Sequence, residues 1–164
     1  MTQQTIGIGS APGDGLGDPA RIAFDKTNDN FSELYAAIVL ARRQTIILSA
    51  GEFESIVETR ADLDWYIRFQ MPYNFFIEEV SLSVVEGQVS GDTLLVDLRR
   101  NSDTSNSIFA TPLSLPNGSI RVETLPGQIS QQFIDKGDTL DLRVDRIGDG
   151  FAYGLKCYIV GYLV

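Results

Sequence analysis

The sequence contains no histidine and a single cysteine, Cys157. Losing histidine removes the commonest general base and the commonest metal ligand. Ser-His-Asp, Cys-His and His-metal sites are thereby excluded within a single chain type. One cysteine rules out an intrachain disulfide. Cys157 stands in an apolar strand pattern, where a cysteine is expected to be a small buried hydrophobe rather than a reactive thiol. Basic residues are also scarce, with 13 Lys and Arg against 22 Asp and Glu, a net charge of −9. Phosphate binding needs clustered Lys and Arg, so neither nucleic acid nor an anionic membrane surface is an expected partner. No apolar run approaches the ~20 residues of a membrane span. The start of the sequence lacks the basic and apolar stretches of a signal peptide, so synthesis in a cytoplasm and a soluble product are expected.

What is present suffices for a packed core: 43% of the 164 residues are hydrophobic, which suits one domain with an appendage. Residues 1–18 are rich in Gly, Ser, Thr and Gln and have too little apolar surface to fold alone. They are expected to be an anchoring arm held by the rest of the chain or by another chain, with Ile6, Ile8 and Leu16 as its anchoring side chains.

Residues 19–43 read as one helix. Asp18 suits the N-cap and Pro19 the first helical position, where its missing N–H costs nothing. Apolar or small residues fall at Ala20, Phe24, Thr27, Phe31, Leu34, Ile38 and Ala41, with spacings of 4, 3, 4, 3, 4, 3. This heptad places Phe24, Phe31 and Ile38 at a, and Ala20, Thr27, Leu34 and Ala41 at d. Asn28-Asp29-Asn30 is a poor helix former and a possible break. Two readings fit: an amphipathic helix packed on its own domain, or a short self-associating coiled coil whose oligomerisation residues are Phe24, Thr27, Phe31, Leu34 and Ile38.

Residues 44–164 read as β throughout. Period-2 alternation marks Asp64–Phe69, Glu79–Val84, Thr93–Arg99 and Leu140–Asp145 as strands with one buried face. Further strands are expected at Ile46–Ser49, Glu54–Thr59, Ser107–Ala110, Ser119–Glu123 and Leu155–Leu163. Turn residues separate them, as in Met71-Pro72-Tyr73-Asn74 and Pro116-Asn117-Gly118. About eight or nine strands with such spacing indicate an antiparallel β-sandwich of jelly-roll type. The last run is apolar on both faces, which predicts a central strand or one covered by a neighbouring subunit.

No catalytic constellation emerges. Gly7 to Gly13 lacks the Lys-Ser/Thr ending of a phosphate loop and contains Pro12 where a donor is needed. Asp25, Thr27 and Asp29 imitate the start of an EF-hand, but Asn30 replaces the glycine and Ala36 the bidentate glutamate. The carboxylate pairs Asp14/Asp18 and Asp145/Asp149 lie in or beside glycine-rich turns, where Asp commonly stabilises backbone. Tyr66, Tyr73, Phe75, Phe76 and Tyr153 lie near strand ends; they could stack on sugar rings, but core or subunit contact is the expected role. No cofactor, metal or enzymatic activity is expected.

The stretch from Ile8 to Tyr35 includes Asp18-Pro19, Arg21, Ala23-Phe24, Lys26, Asn28, Asn30-Phe31 and Glu33-Leu34-Tyr35. It resembles a segment recurrent near the N-termini of tail-fibre, head-fibre, decoration and other virion proteins of tailed bacteriophages. Ala20 departs from the larger apolar residue common there. Gly137-Asp138, Gly154-Leu155-Lys156 and Ile159-Val160-Gly161-Tyr162 carry a looser similarity to a sandwich domain of small phage virion proteins. The resemblance implies a non-enzymatic structural protein of the virion, assembled in the host cytoplasm. Its partners would be copies of itself, as a homotrimer, and other virion proteins through the arm. The attachment point would be capsid or tail. An alternative is a host-receptor or carbohydrate-binding module of a tail fibre that contacts a surface glycan; a depolymerase fits poorly, without histidine or a repetitive β-helix.

Overall fold

Helix α1 spans Ala20–Ala41. Its first backbone bond runs from the Ala23 N–H to the Pro19 carbonyl at 3.0 Å, so Pro19, with no N–H to leave unpaired, closes the entrance. Asp18 was expected to cap this end. It lies one residue further out, and its carboxylate instead accepts the Gly7 N–H and the Lys26 ammonium. The helix runs unbroken through Asn28-Asp29-Asn30, because the side chains of Asp29 and Asn30 find partners outside the helix. It ends before Arg43, the first residue of the next strand rather than the last of the helix.

The computed structural model describes residues 4–11, 13–50, 67–103, 105–148 and 152–164. The expected strand Glu54–Thr59, the Asp64–Tyr66 start of the strand reaching Phe69, and Pro12 and Asp149 lie outside them. The chain divides into two compact units, Met1–Arg42 and Arg43–Val164.

The second unit is β. Its strands are β1 (Arg43–Ser49), β2 (Ile67–Gln70), β3 (Phe75–Ser83), β4 (Leu94–Arg100), β5 (Leu113–Leu115), β6 (Arg121–Glu123), β7 (Phe133–Ile134), β8 (Thr139–Arg146) and β9 (Lys156–Leu163). They form two antiparallel sheets, one ordered β1-β9-β3-β6 with β7 also on β3, the other β2-β8-β4-β5. The protein is thus mostly β with one helix among the described residues. Inward side chains of both sheets merge into one core: Ile77, Val80, Leu82, Cys157 and Ile159 from the first, and Leu94, Val96, Leu98, Leu140, Leu142 and Val144 from the second. A bulge at Ile77/Glu79 adds a residue to β3, so that Ile77 and Val80 are both fully buried. The strand β9 is central, between β1 and β3; one of its faces is buried in the core and the other, with Tyr158, Val160 and Tyr162, is half-buried.

Three expectations are corrected. Ser107–Ala110 is not a strand: its backbone bonds alternate between Leu98 on one side and Gln128 and Ser130 on the other, so no continuous ladder forms. The strands β5 and β7 and the Phe75–Ile77 start of β3 were not anticipated. The third concerns β4 and β8, each expected to have one buried face. Their outward residues Asp97, Asp141 and Arg143 are also buried. Charge survives there because each buried carboxylate has an arginine beside it, Asp141 one from the neighbouring strand and Asp97 one from two residues along its own. In register, Asp141 lies between Arg68 of β2 and Arg99 of β4, while Arg143 faces Asp97. Arg68 Nε reaches Asp141 at 2.7 Å and Arg99 Nε reaches Asp97 at 2.8 Å.

Candidate functional site

The N-terminal unit is built by a chain reversal. Asp14 fixes it: its carboxylate accepts the backbone N–H groups of Leu16, Ala11 and Ser10 and the Ser10 hydroxyl. These donors, Leu16 foremost and then Ala11 and Ser10, hold the carboxyl well below the usual carboxylate range. Gly9 lets the chain pass beside that carboxylate. Its φ is +76°, and a Cβ there would collide with the Asp14 side chain.

The reversal sets residues 4–7 alongside α1, and two helix side chains and Asp18 grip their backbone. Asn30 makes a reciprocal pair with Gln4, accepting its N–H at 2.9 Å and donating to its carbonyl at 2.9 Å. Lys26 donates to the Thr5 carbonyl at 3.1 Å and to the Asp18 carboxylate at 2.6 Å. Gly7 and Asp18 close the clasp, with Gly7 N–H donating to the carboxylate and Asp18 N–H to the Gly7 carbonyl, both at 2.8 Å. The Asp18 carboxyl is lowered, first by Lys26 and then by the Gly7 N–H. Asp18, Lys26 and Asn30 hold the arm, a role that the sequence reading did not assign to them. All three lie in the stretch from Ile8 to Tyr35 that carries the resemblance.

The five residues of the expected seam share one exposed face. Phe24 is 70% exposed, Phe31 53%, Leu34 50% and Ile38 41%. Thr27 is half-buried, its hydroxyl turned back to the Ala23 carbonyl. Of the expected anchoring residues, Ile8 and Leu16 are strongly exposed on either side of the reversal. Ile6 is placed differently: with Thr27, Asn30, Phe31 and Leu34 it lines a recess of about 270 Å³. The structure thus brings together a residue assigned to the arm and residues assigned to the helix seam.

The other motifs dissolve into local roles. Asp25, Thr27 and Asp29 do not converge, since Thr27 bonds within the helix and Asp29 accepts the Gln4 side chain. Asp14 and Asp18 serve separate backbone groups. Asp145 meets Arg99 at 3.4 Å, and its expected companion Asp149 lies outside the described residues, as does Tyr66. Of the aromatics, Phe75 is core, Phe76 stacks on Tyr162 with ring centres 5.2 Å apart, and Tyr153 pairs with Glu86. Tyr73 and Phe75 border an apolar cleft of about 180 Å³ beside Met71 and Leu163. On the outer face of the β1-β9-β3-β6 sheet, Thr45, Glu79, Ser81, Arg121 and Tyr158 border a shallow groove of about 390 Å³. Cys157 is buried, which pushes its thiol up to about 12. Among the described residues no group of three or more Cys, Asp or Glu is placed to hold a metal ion.

No protein-family model and no curated protein matches this sequence.

Proposed function

We propose that this chain is a non-enzymatic structural protein of a tailed-bacteriophage virion, a capsid decoration or head-fibre component or a tail or baseplate fibre component. It self-associates through α1, attaches to neighbouring virion proteins through the reversal that carries Ile8 and Leu16, and presents its β unit as a jelly-roll sandwich. One observation carries the reading. Three of the residues in which the sequence resembles phage virion proteins, Asp18, Lys26 and Asn30, clasp the arm to the helix, beside a heptad face left open to solvent. The sheet order supports the jelly roll. With β7 set aside, the strands pair from the outside in: β1 with β9, β2 with β8, β3 with β6, β4 with β5. That is the pairing of a long hairpin rolled into two sheets.

The test is incorporation. Phage carrying the full chain with an epitope tag should contain it as a regular component, located by reconstruction of the particle. Phage in which residues 8–16 are replaced by a Gly/Ser linker should assemble without it. Full occupancy of the altered chain would exclude the reversal as the anchor, and absence of the intact chain from purified particles would exclude the reading altogether.

A carbohydrate-binding module is the second reading, favoured by the groove around Tyr158, where an aromatic ring stands among hydroxyl, carboxylate and guanidinium groups. A glycan array decides between them. Binding that is lost in Tyr158→Ala supports a receptor role, and release of reducing sugar from a host polysaccharide would revive an enzymatic one.

A further inference from the structure

We propose that the arm is part of the self-association surface: Ile6 forms the outer wall of a hole on α1 that receives Phe31 from a second copy of this chain. The inference rests on the self-association reading above and adds to it the register, the orientation and a role for the arm. Thr27, Asn30, Phe31 and Leu34 stand at i, i+3, i+4 and i+7 on the helix. Four residues in that relation form the diamond into which one knob of a facing helix fits. In heptad terms they are d, g, a and d. In a parallel, in-register bundle the knob opposite such a diamond comes from an a position, here the neighbour's Phe31. The structure leaves the diamond as a recess of about 270 Å³ rather than a filled site, and Ile6 lines it alongside the four helix residues.

A bare two- or three-helix seam has solvent on its flank at g. In this chain the flank carries the arm. Asn30, the g residue, spends its side chain on holding Gln4, which sets Ile6 two residues further along the arm. Lys26 fixes the intervening Thr5. The clasp therefore fixes an apolar side chain at the edge of the hole and deepens it. This addresses a weakness of the seam. Its d positions include Ala20, Thr27 and Ala41, which offer little apolar area, and a 22-residue helix is marginal on its own. No opposite-charge e/g pairing compensates, because Arg21, Asn28, Tyr35 and Arg42 at e face Ala23, Asn30 and Ala37 at g. The occupant is a second copy because the hole and the exposed Phe31 that fits it recur on the same chain at the same helical level.

Sedimentation equilibrium of the full chain tests this with three variants. Ile6→Asp places a carboxylate on the wall of the hole. Lys26→Ala loosens the arm without touching the hole, as Lys26 is at c. Ile6→Leu keeps an apolar wall. Ile6→Asp and Lys26→Ala should each weaken association at least tenfold, with the circular dichroism of the β unit unchanged, and Ile6→Leu should stay within about twofold of the parent. If the parent associates and Ile6→Asp and Lys26→Ala associate equally well, the arm is no part of the interface and this inference fails while self-association stands. If Ile6→Asp associates more tightly, the arm competes with the partner helix and the inference is overturned in the opposite sense. A parent that is monomeric at all concentrations overturns both.

Discussion

Cys157 and Asp14 show opposite ways in which this fold moves a titratable group. Cys157 lies on β9 within the core, and burial alone favours its neutral thiol, pushing the pKa from 9.0 up to about 12. A raised folded value stabilises the fold fully below pH 9.0, and that contribution is lost as pH rises through the folded value. The thiol should therefore be inert to Ellman's reagent at pH 8 in native buffer and react fully in denaturant. Stoichiometric labelling of the native protein within minutes would contradict the burial of β9. Asp14 is the reverse case, an exposed carboxylate lowered by Leu16, Ala11 and Ser10 donors. Its contribution to the reversal is present above the unfolded value of 3.8 and is lost as pH falls toward the folded value. Amide resonances of Ser10, Ala11 and Leu16 should keep their folded shifts through pH 3.8 and move only in stronger acid. Movement centred on the ordinary carboxylate range would mean that the four donor bonds do not persist in solution.

Elements whose pattern is local were legible in the sequence. Strict alternation in Val80–Val84 and Leu140–Val144 requires one set of side chains to share a face, and those residues are core. The helix α1 was legible for the same reason. The strands β5 and β7, three and two residues long, are too short to show a period, and they exist because β4 and β3 offer them an edge. The charged faces of β4 and β8 were read as exposed because the sequence supplies each charge but not its partner: Arg68 and Asp141 are 73 residues apart. The arm clasp escaped for a related reason, since it depends on a reversal that only Asp14 and its four donors create. Gly161 is another position decided by packing rather than pattern. It sits on β9 between Gln44 and Ile77, and a Cβ there would run into the Phe76 carbonyl of β3 and approach the Phe75 ring at 2.7 Å. Gly161→Ala should lower stability by about 2–3 kcal/mol, the scale of an overpacked core, seen as a fall in the denaturant midpoint. An unchanged midpoint would show that β3 and β9 separate freely. On α1, Phe31→Asp places a carboxylate at the centre of the proposed seam, costing several kcal/mol per chain if it stays charged and dry. Light scattering should then report a monomer with its β signal intact, and a persistent tight oligomer would return α1 to the role of a helix packed within one chain.

At the scale of the whole molecule the two units differ in what holds them. Every residue of the hydrophobic core belongs to the β unit, from Leu48 to Ile159. Among the residues up to Arg42 whose side chains are described, none is buried. The N-terminal unit therefore has hydrogen bonds but no core of its own. The ion pair of Lys26 with Asp18 is partly exposed, and such pairs contribute little to stability. An isolated helix of 22 residues is only marginally stable in water. In the proposed self-association, burial of Phe24, Phe31, Leu34 and Ile38 against other copies stabilises it, and burial between chains depends on concentration by mass action. The β unit has its core within one chain. Heating the full chain should then give two transitions. The first, a loss of signal at 222 nm without change in the β spectrum, should shift upward as protein concentration is raised from about 1 to 100 μM, while the second, the loss of β structure, should stay fixed. A single transition with one concentration dependence for both signals would mean that the units unfold together and that the interface extends over the β unit.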